Sequence, residues 1–166
     1  DNYVVVGGKT IDIEASVQDK KTEALVLIYD KDGNVLAEDT YEQNKSARFN
    51  KVLVDNEEII AIGHTAKQDN EESTDEYNVF RYSGLFAKYT KDLEEIVKEK
   101  EEGRRDTYFS DIIKEDDNYL ILGQTSSKEL GGNNKDLVPL FLTYDNKGKK
   151  ATSETLFDTI VWDWFN

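Results

Sequence analysis

The chain has 166 residues, 35 acidic against 21 basic, a formal net charge of -14, no Cys, no Met, one Pro and one His. Without Cys there is no disulfide frame, thiol nucleophile or zinc–thiolate site, and any triad or His-based metal site would rest on His64 alone. The charge repels phosphate backbones, which argues against nucleic acid as a partner, and no stretch approaches the roughly 18 uninterrupted apolar residues of a membrane helix.

The first element is Asn2-Tyr3-Val4-Val5-Val6-Gly7, an apolar strand closed by glycine. A long polar loop, Lys9 to Glu23, leads into Ala24-Leu25-Val26-Leu27-Ile28-Tyr29-Asp30. The turn Asp30-Lys31-Asp32-Gly33-Asn34 then reverses the chain into a more polar strand, Val35 to Thr40. Asp-Gly between apolar runs is a strong hairpin signal.

The same order of elements then recurs twice. Phe49-Asn50 opens a strand ending at Val54, a polar turn covers Asp55 to Glu57, and Glu58-Ile59-Ile60-Ala61-Ile62-Gly63-His64-Thr65 follows. A loop from Thr65 to Ser83 precedes Gly84-Leu85-Phe86-Ala87-Lys88-Tyr89-Thr90. Phe109-Ser110, Asn118-Tyr119-Leu120-Ile121-Leu122-Gly123-Gln124-Thr125, the loop Thr125 to Leu137 and Pro139 to Asp145 repeat that pattern. Gly7, Gly63 and Gly123 fall 56 and 60 residues apart, Tyr29, Tyr89 and Tyr144 fall 60 and 55 apart, and Phe49, Phe109 and Phe165 fall 60 and 56 apart. Three landmarks in one order at nearly one period establish an internal repeat.

One segment resists that reading. Leu93-Glu94-Glu95-Ile96-Val97-Lys98-Glu99-Lys100-Glu101-Glu102 consists of good helix formers. Its repeat mates, Val35 to Thr40 and Ala151 to Leu156, read as strands, so the repeat predicts a charged outer edge strand here as well.

Four short strands per 55–60-residue unit, innermost runs most apolar and outermost most charged, describe a β-propeller blade. The expected fold class is therefore all-β, with blades built as four-stranded antiparallel sheets. The units are about 1–48, lacking its first strand, then 49–108 and 109–166. Three blades are too few for a ring, so an incomplete propeller segment, or one completed by association or by further blades, is expected. A start at Asp1 with no Met anywhere suggests a processed or excised piece.

The Asp-Asn-Tyr-Leu-Ile-Leu-Gly-Gln-Thr run, the Leu-Ile-Tyr-Asp-Lys-Asp-Gly-Asn-Val-Leu strand pair and the Phe-Asn opening resemble a degenerate propeller repeat of bacterial secreted proteins and lipoproteins. The pattern is also loosely similar to kelch, whose double glycine after an apolar strand is matched only by Gly7-Gly8. This resemblance implies a bacterial extracellular or cell-surface setting and a fold that hosts many unrelated activities.

The candidate site residues are aromatic. Tyr77, Phe80 and Tyr82 belong to the long acidic loop from Thr65 to Ser83, and long loops on a rigid scaffold are where binding normally resides. Trp162 and Trp164 end the chain at a period of two, as a sugar-stacking pair or as packing between blades. His64 is most simply a polar strand-end residue. Asp30-Lys31-Asp32-Gly33-Asn34 looks like the start of a Ca²⁺ loop, but Tyr41 stands where the twelfth-position Glu should be. A hairpin turn is the better account, and the acidic surface leaves room for a loosely held Ca²⁺ elsewhere. No catalytic set and no resident cofactor are expected. The sequence therefore favours a non-enzymatic scaffold that binds a protein or glycan through rim loops. The alternative is a glycan-active or Ca²⁺-dependent propeller enzyme that draws carboxylates from several blades.

Overall fold

The computed structural model describes residues 2–11, 21–41, 46–69 and 79–155. Eleven strands in these residues form three consecutive antiparallel meanders, and the described residues are all-β apart from a single 3-10 turn at Lys128–Leu130. The first group is β1 (Tyr3–Thr10), β2 (Thr22–Tyr29) and β3 (Val35–Tyr41). The middle group is β4 (Ser46–Asp55), β5 (Glu58–Asp69), β6 (Val79–Thr90) and β7 (Glu95–Glu101). The third is β8 (Thr107–Glu115), β9 (Asn118–Thr125), β10 (Val138–Asp145) and β11 (Lys150–Thr155). One parallel bridge, Thr22 to Ser46, ties the first group to the middle one. Among the described residues the three groups do not close a ring.

The repeat is carried into backbone geometry. Phe49 pairs with Gly63 and Phe109 with Gly123, and in both pairs the ladder skips one residue directly after the phenylalanine, a β-bulge. A second bulge falls at Ile28/Tyr29, Lys88/Tyr89 and Thr143/Tyr144, immediately before each landmark tyrosine. The turns that follow are built alike. Gly33, Leu93 and Gly148 occupy one equivalent position with φ of 86, 62 and 79°. Asp30, Thr90 and Asp145 each accept two backbone N–H groups of their own turn through a side-chain oxygen. The Asp30 carboxylate also accepts the Asn34 side-chain amide at 2.8 Å, so both of its oxygens hold the hairpin.

Two apolar cores follow from the alternation of side chains along a strand. Ile59 and Ala61 of β5, with Leu85, Ala87 and Tyr89 of β6, pack against Ala24, Val26 and Ile28 of the first group. Their neighbours Ile60, Ile62 and Phe86 point the opposite way, against Ile121, Leu140 and Leu142 of the third. The middle sheet is thus covered on both faces, which is why its runs are apolar at nearly every position. Phe86 stacks on Tyr144 at 4.4 Å between ring centroids, and Tyr144 Oη donates to Glu101 Oε1 at 2.7 Å. Outer strands carry charge between groups: Lys98 of β7 pairs with Asp39 of β3 at 2.8 Å, and Lys150 of β11 with Glu101 of β7 at 2.5 Å.

The segment of helix formers is strand β7, which pairs with Gly84 to Tyr89 and skips only Ile96, at the bulge. Propensity is a weak prior, and the cross-strand ladder with its ion pairs prevails. The loop expected over Thr65 to Ser83 is shorter than the sequence suggests. Thr65 pairs with Ser83, Ala66 with Tyr82 and Gln68 with Phe80, so β5 and β6 run on to Asp69 and Val79. Phe80 and Tyr82 therefore stand on a strand and not on a loop. Tyr77, Trp162 and Trp164 lie outside the described residues.

Leu93 combines a left-handed backbone with burial in the first core, at 9% exposure. Leu93→Ala removes the packing and keeps the backbone strain, whereas Leu93→Gly removes both. The glycine variant should therefore be the more stable of the two by about 1 kcal/mol, reversing the usual order in strands and helices. Urea denaturation of both variants decides this, and equal or inverted midpoints would count against the strain account.

Candidate functional site

The extension of β5 and β6 brings three rings together where the middle and third groups meet. Phe80, Tyr82, Gly84 and Phe86 alternate onto one face of β6, and His64 of β5 pairs with Gly84. Gly84 makes room: a Cβ there would lie 2.4 Å from the Phe109 ring, so β8 can settle close to β6 only over a residue without a side chain. Phe109 in turn delivers its neighbour Tyr108 to the seam. His64 meets Tyr82 edge-on at 5.8 Å and Tyr108 at 5.4 Å, and the two tyrosine rings lie 5.0 Å apart at 33°. These distances are those of favourable aromatic pairing. All three rings are half-buried.

Polar groups fix the trio. The Tyr82 N–H donates to Asp106 Oδ1 at 3.1 Å, which anchors β6 to the segment entering β8. Asn50, the extra residue of the β4 bulge, donates its side-chain amide to the Phe109 carbonyl at 3.0 Å, with His64 Nδ1 3.1 Å from the same nitrogen. The carbonyl can only accept, so this nitrogen is the amide donor and Nδ1 is the acceptor. The neutral imidazole then carries its proton on Nε2. Arg48 is exposed and pairs across the ladder with His64. Lys51 and Asp111 bridge β4 and β8 nearby at 3.1 Å, and this contact holds the Asp111 carboxyl below its ordinary range.

Burial lowers the pKa of His64, and the charge of Arg48 adds to the effect. Burial also raises the Tyr108 phenol, followed by the charge of Asp106. At neutral pH the site is an uncharged aromatic ledge beside one exposed guanidinium and one amide. Such a surface suits stacking against a sugar ring or an apolar or aromatic side chain. Asp106, whose Oδ1 receives the Tyr82 N–H, also acts through its charge on the Tyr108 phenol. Among the described residues no group of three or more His, Asp or Glu is arranged to hold a metal ion. No helix of the described residues is long and apolar enough to cross a membrane.

Of the sequence candidates, Tyr82 joins the trio and Phe80 lies on the same strand face, half-buried. His64, read as an ordinary strand-end residue, is at its centre. Tyr108, Asn50, Arg48 and Asp106 were not anticipated. The repeat held a signal for two of them: Arg48 and Tyr108, like Trp164, stand directly before Phe49, Phe109 and Phe165. No family model matches the chain, and no curated protein matches it.

The His64 titration is a direct check of this geometry. Burial and Arg48 disfavour the imidazolium in the folded chain, so folded His64 should titrate below its ordinary 6.5. As pH falls, the unfolded chain then takes up this proton first. The stabilisation is complete above about 6.5 and is lost as pH falls through the window between that value and the lower folded one. Because the chain has one His, its imidazole resonance in a ¹H–¹³C NMR titration needs no assignment. A midpoint at or above 6.5 would contradict the buried, neutral His64.

Proposed function

We propose that the chain is an interaction scaffold of β-propeller type from a bacterial surface or secreted protein. It binds a protein or glycan partner through the ledge of His64, Tyr82 and Tyr108. The blade reading is supported by three meanders that share the bulge before the landmark tyrosine and the turn after it, two of which also share the bulge after the phenylalanine, with successive groups packed face to face. The binding reading rests on one observation: three half-buried rings, from the paired strands β5 and β6 and from β8 of the next group, meet beside an exposed arginine and the amide of Asn50. None of the three rings belongs to either apolar core among the described residues. The extracellular setting rests on the repeat resemblance.

A glycan array and a peptide-display screen with the wild-type chain would identify the partner class. Against the best ligand, the double variant Tyr82→Ala/Tyr108→Ala should lose about tenfold or more in affinity by calorimetry, as truncated aromatic anchors do. Tyr3→Ser, on the first group, serves as the distant control and should bind normally. Equal losses in both variants, or none in the double variant, would refute the ledge as the binding surface. Hydrolysis of a bound glycan would favour the enzyme alternative.

A further inference from the structure

The ledge of His64, Tyr82 and Tyr108 is electrically polar. On its β4 side, Arg48 is exposed and stands opposite His64 in the β4–β5 ladder. On its β8 side, the half-buried Asp106 holds the Tyr82 N–H through Oδ1. After burial, the largest influence on His64 is the charge of Arg48, and the largest on Tyr108 is that of Asp106. The rings therefore feel a cation from β4 and a carboxylate from the segment entering β8.

Arginine is concentrated at this place. The chain has four, in a sequence of net charge -14, and all of them stand at this end of the strands. Arg48 lies near the start of β4, Arg81 directly precedes Tyr82, and Arg104 and Arg105 lead through Asp106 into β8. By alternation Arg81 faces away from Tyr82, and Arg104 pairs with Glu129 at 3.6 Å. These two raise the local potential without entering the ledge. Lys51, further along β4, is taken by Asp111 at 3.1 Å, whereas no ion pair to Arg48 occurs among the described residues.

The hydrogen-bonding groups narrow the choice of ligand. His64 Nδ1 accepts from Asn50, so the neutral imidazole donates through Nε2 alone. A guanidinium is planar and presents paired N–H donors that match a carboxylate, which a lysine ammonium does not. A fitting ligand therefore offers a flat apolar face to the tyrosines and one carboxylate on the side of Arg48. Towards Asp106 it must carry neutral donors, because a second anion there would be repelled. A hexuronic acid residue has all three: a pyranose face, a single carboxylate on one edge and hydroxyls on the other. A neutral hexose lacks the carboxylate, and an apolar peptide side chain lacks both polar edges.

We propose, on the basis of the ledge reading, that the ligand is an acidic glycan whose hexuronic acid residue stacks on Tyr82 and Tyr108 with its carboxylate on Arg48. The tyrosines hold any sugar that presents an apolar face. Arg48 decides between an acidic and a neutral one, because only the acidic sugar gains the charge-assisted pair. Asp106 fixes the direction in which the ring lies by accepting hydroxyls and rejecting anions.

The single His of the chain makes the His64 ring resonance a direct probe of occupancy. Glucuronate, galacturonate and mannuronate are titrated beside glucose, galactose and mannose, with acetate as the bare anion, at fixed ionic strength and about pH 7.5, where His64 is neutral. At least one uronate should bind about tenfold or more tightly than its hexose. Arg48→Gln should abolish that preference and leave hexose binding unchanged, Arg48→Lys should restore only part of it, and Tyr82→Ala/Tyr108→Ala should weaken both sugars. Arg48 is exposed, so its variants should melt as the wild type does. The inference is overturned, with the ledge intact, if hexoses bind as tightly as uronates or if Arg48→Gln keeps the preference. The same holds if acetate binds as tightly as a uronate, or if displayed peptides alone move the resonance. If neither sugars nor peptides move it, the ledge reading falls together with the inference.

Discussion

The burial of the middle sheet on both faces is the constraint on which the rest of the structure depends. Odd-numbered residues of the β5 run, Ile59 and Ala61, belong to one core, and even-numbered Ile60 and Ile62 belong to the other. A slip of one residue would exchange the two sets and send side chains of the wrong size to each interface. The β5–β6 ladder itself has no bulge; the bulge after Phe49 lies in the β4–β5 ladder and the one before Tyr89 in the β6–β7 ladder, on either side of it. Hydrophobic burial supplies the driving force, but the register decides which residues it acts on.

Such tight stacking leaves little room for polar groups, and some of those present join sheets. Lys88 is 2% exposed, and its ammonium pairs with Glu58 at 2.8 Å and donates to the Asn146 carbonyl. It spans the seam between the middle and third groups, as Tyr144 does through Glu101. A buried cation is costly unless partnered, so these contacts add specificity of docking more than stability. The same seam, nearer the other end of the strands, carries His64, Tyr82 and Tyr108.

Much of the fold was legible in the sequence because its signals are local and repeated. Glycine, tyrosine and phenylalanine landmarks located the strands, and the Asp-Gly turn announced its hairpin. The repeat correctly overruled the helix propensity of Glu95 to Glu101. Strand ends were less legible. Gln68-Asp69 and Val79-Phe80 are polar or mixed, and only their pairing across the ladder reveals them as strand. The site was hardly legible, because His64, Tyr82 and Tyr108 meet through packing between two sheets and share no local pattern. Trp162 and Trp164 stand out by composition and spacing, whereas Tyr108 carries no signal beyond its place beside a landmark.

That adjacency explains how the fold can carry a site at all. In each unit the phenylalanine is constant: Phe49 and Phe109 are buried, and each faces a glycine whose missing Cβ lets the strands close. The residue directly before it varies freely, from Arg48 to Tyr108 to Trp164. In a strand, neighbouring side chains point to opposite faces, and the bulge turns this stretch further. One of the two residues thus holds the sheet while the other presents chemistry at the seam, so the second can change without disturbing the first. The same backbone step then yields a cation at one unit and an aromatic ring at the next. A ledge assembled in this way is set by a single variable position per unit, supported by whatever β5 and β6 place across from it.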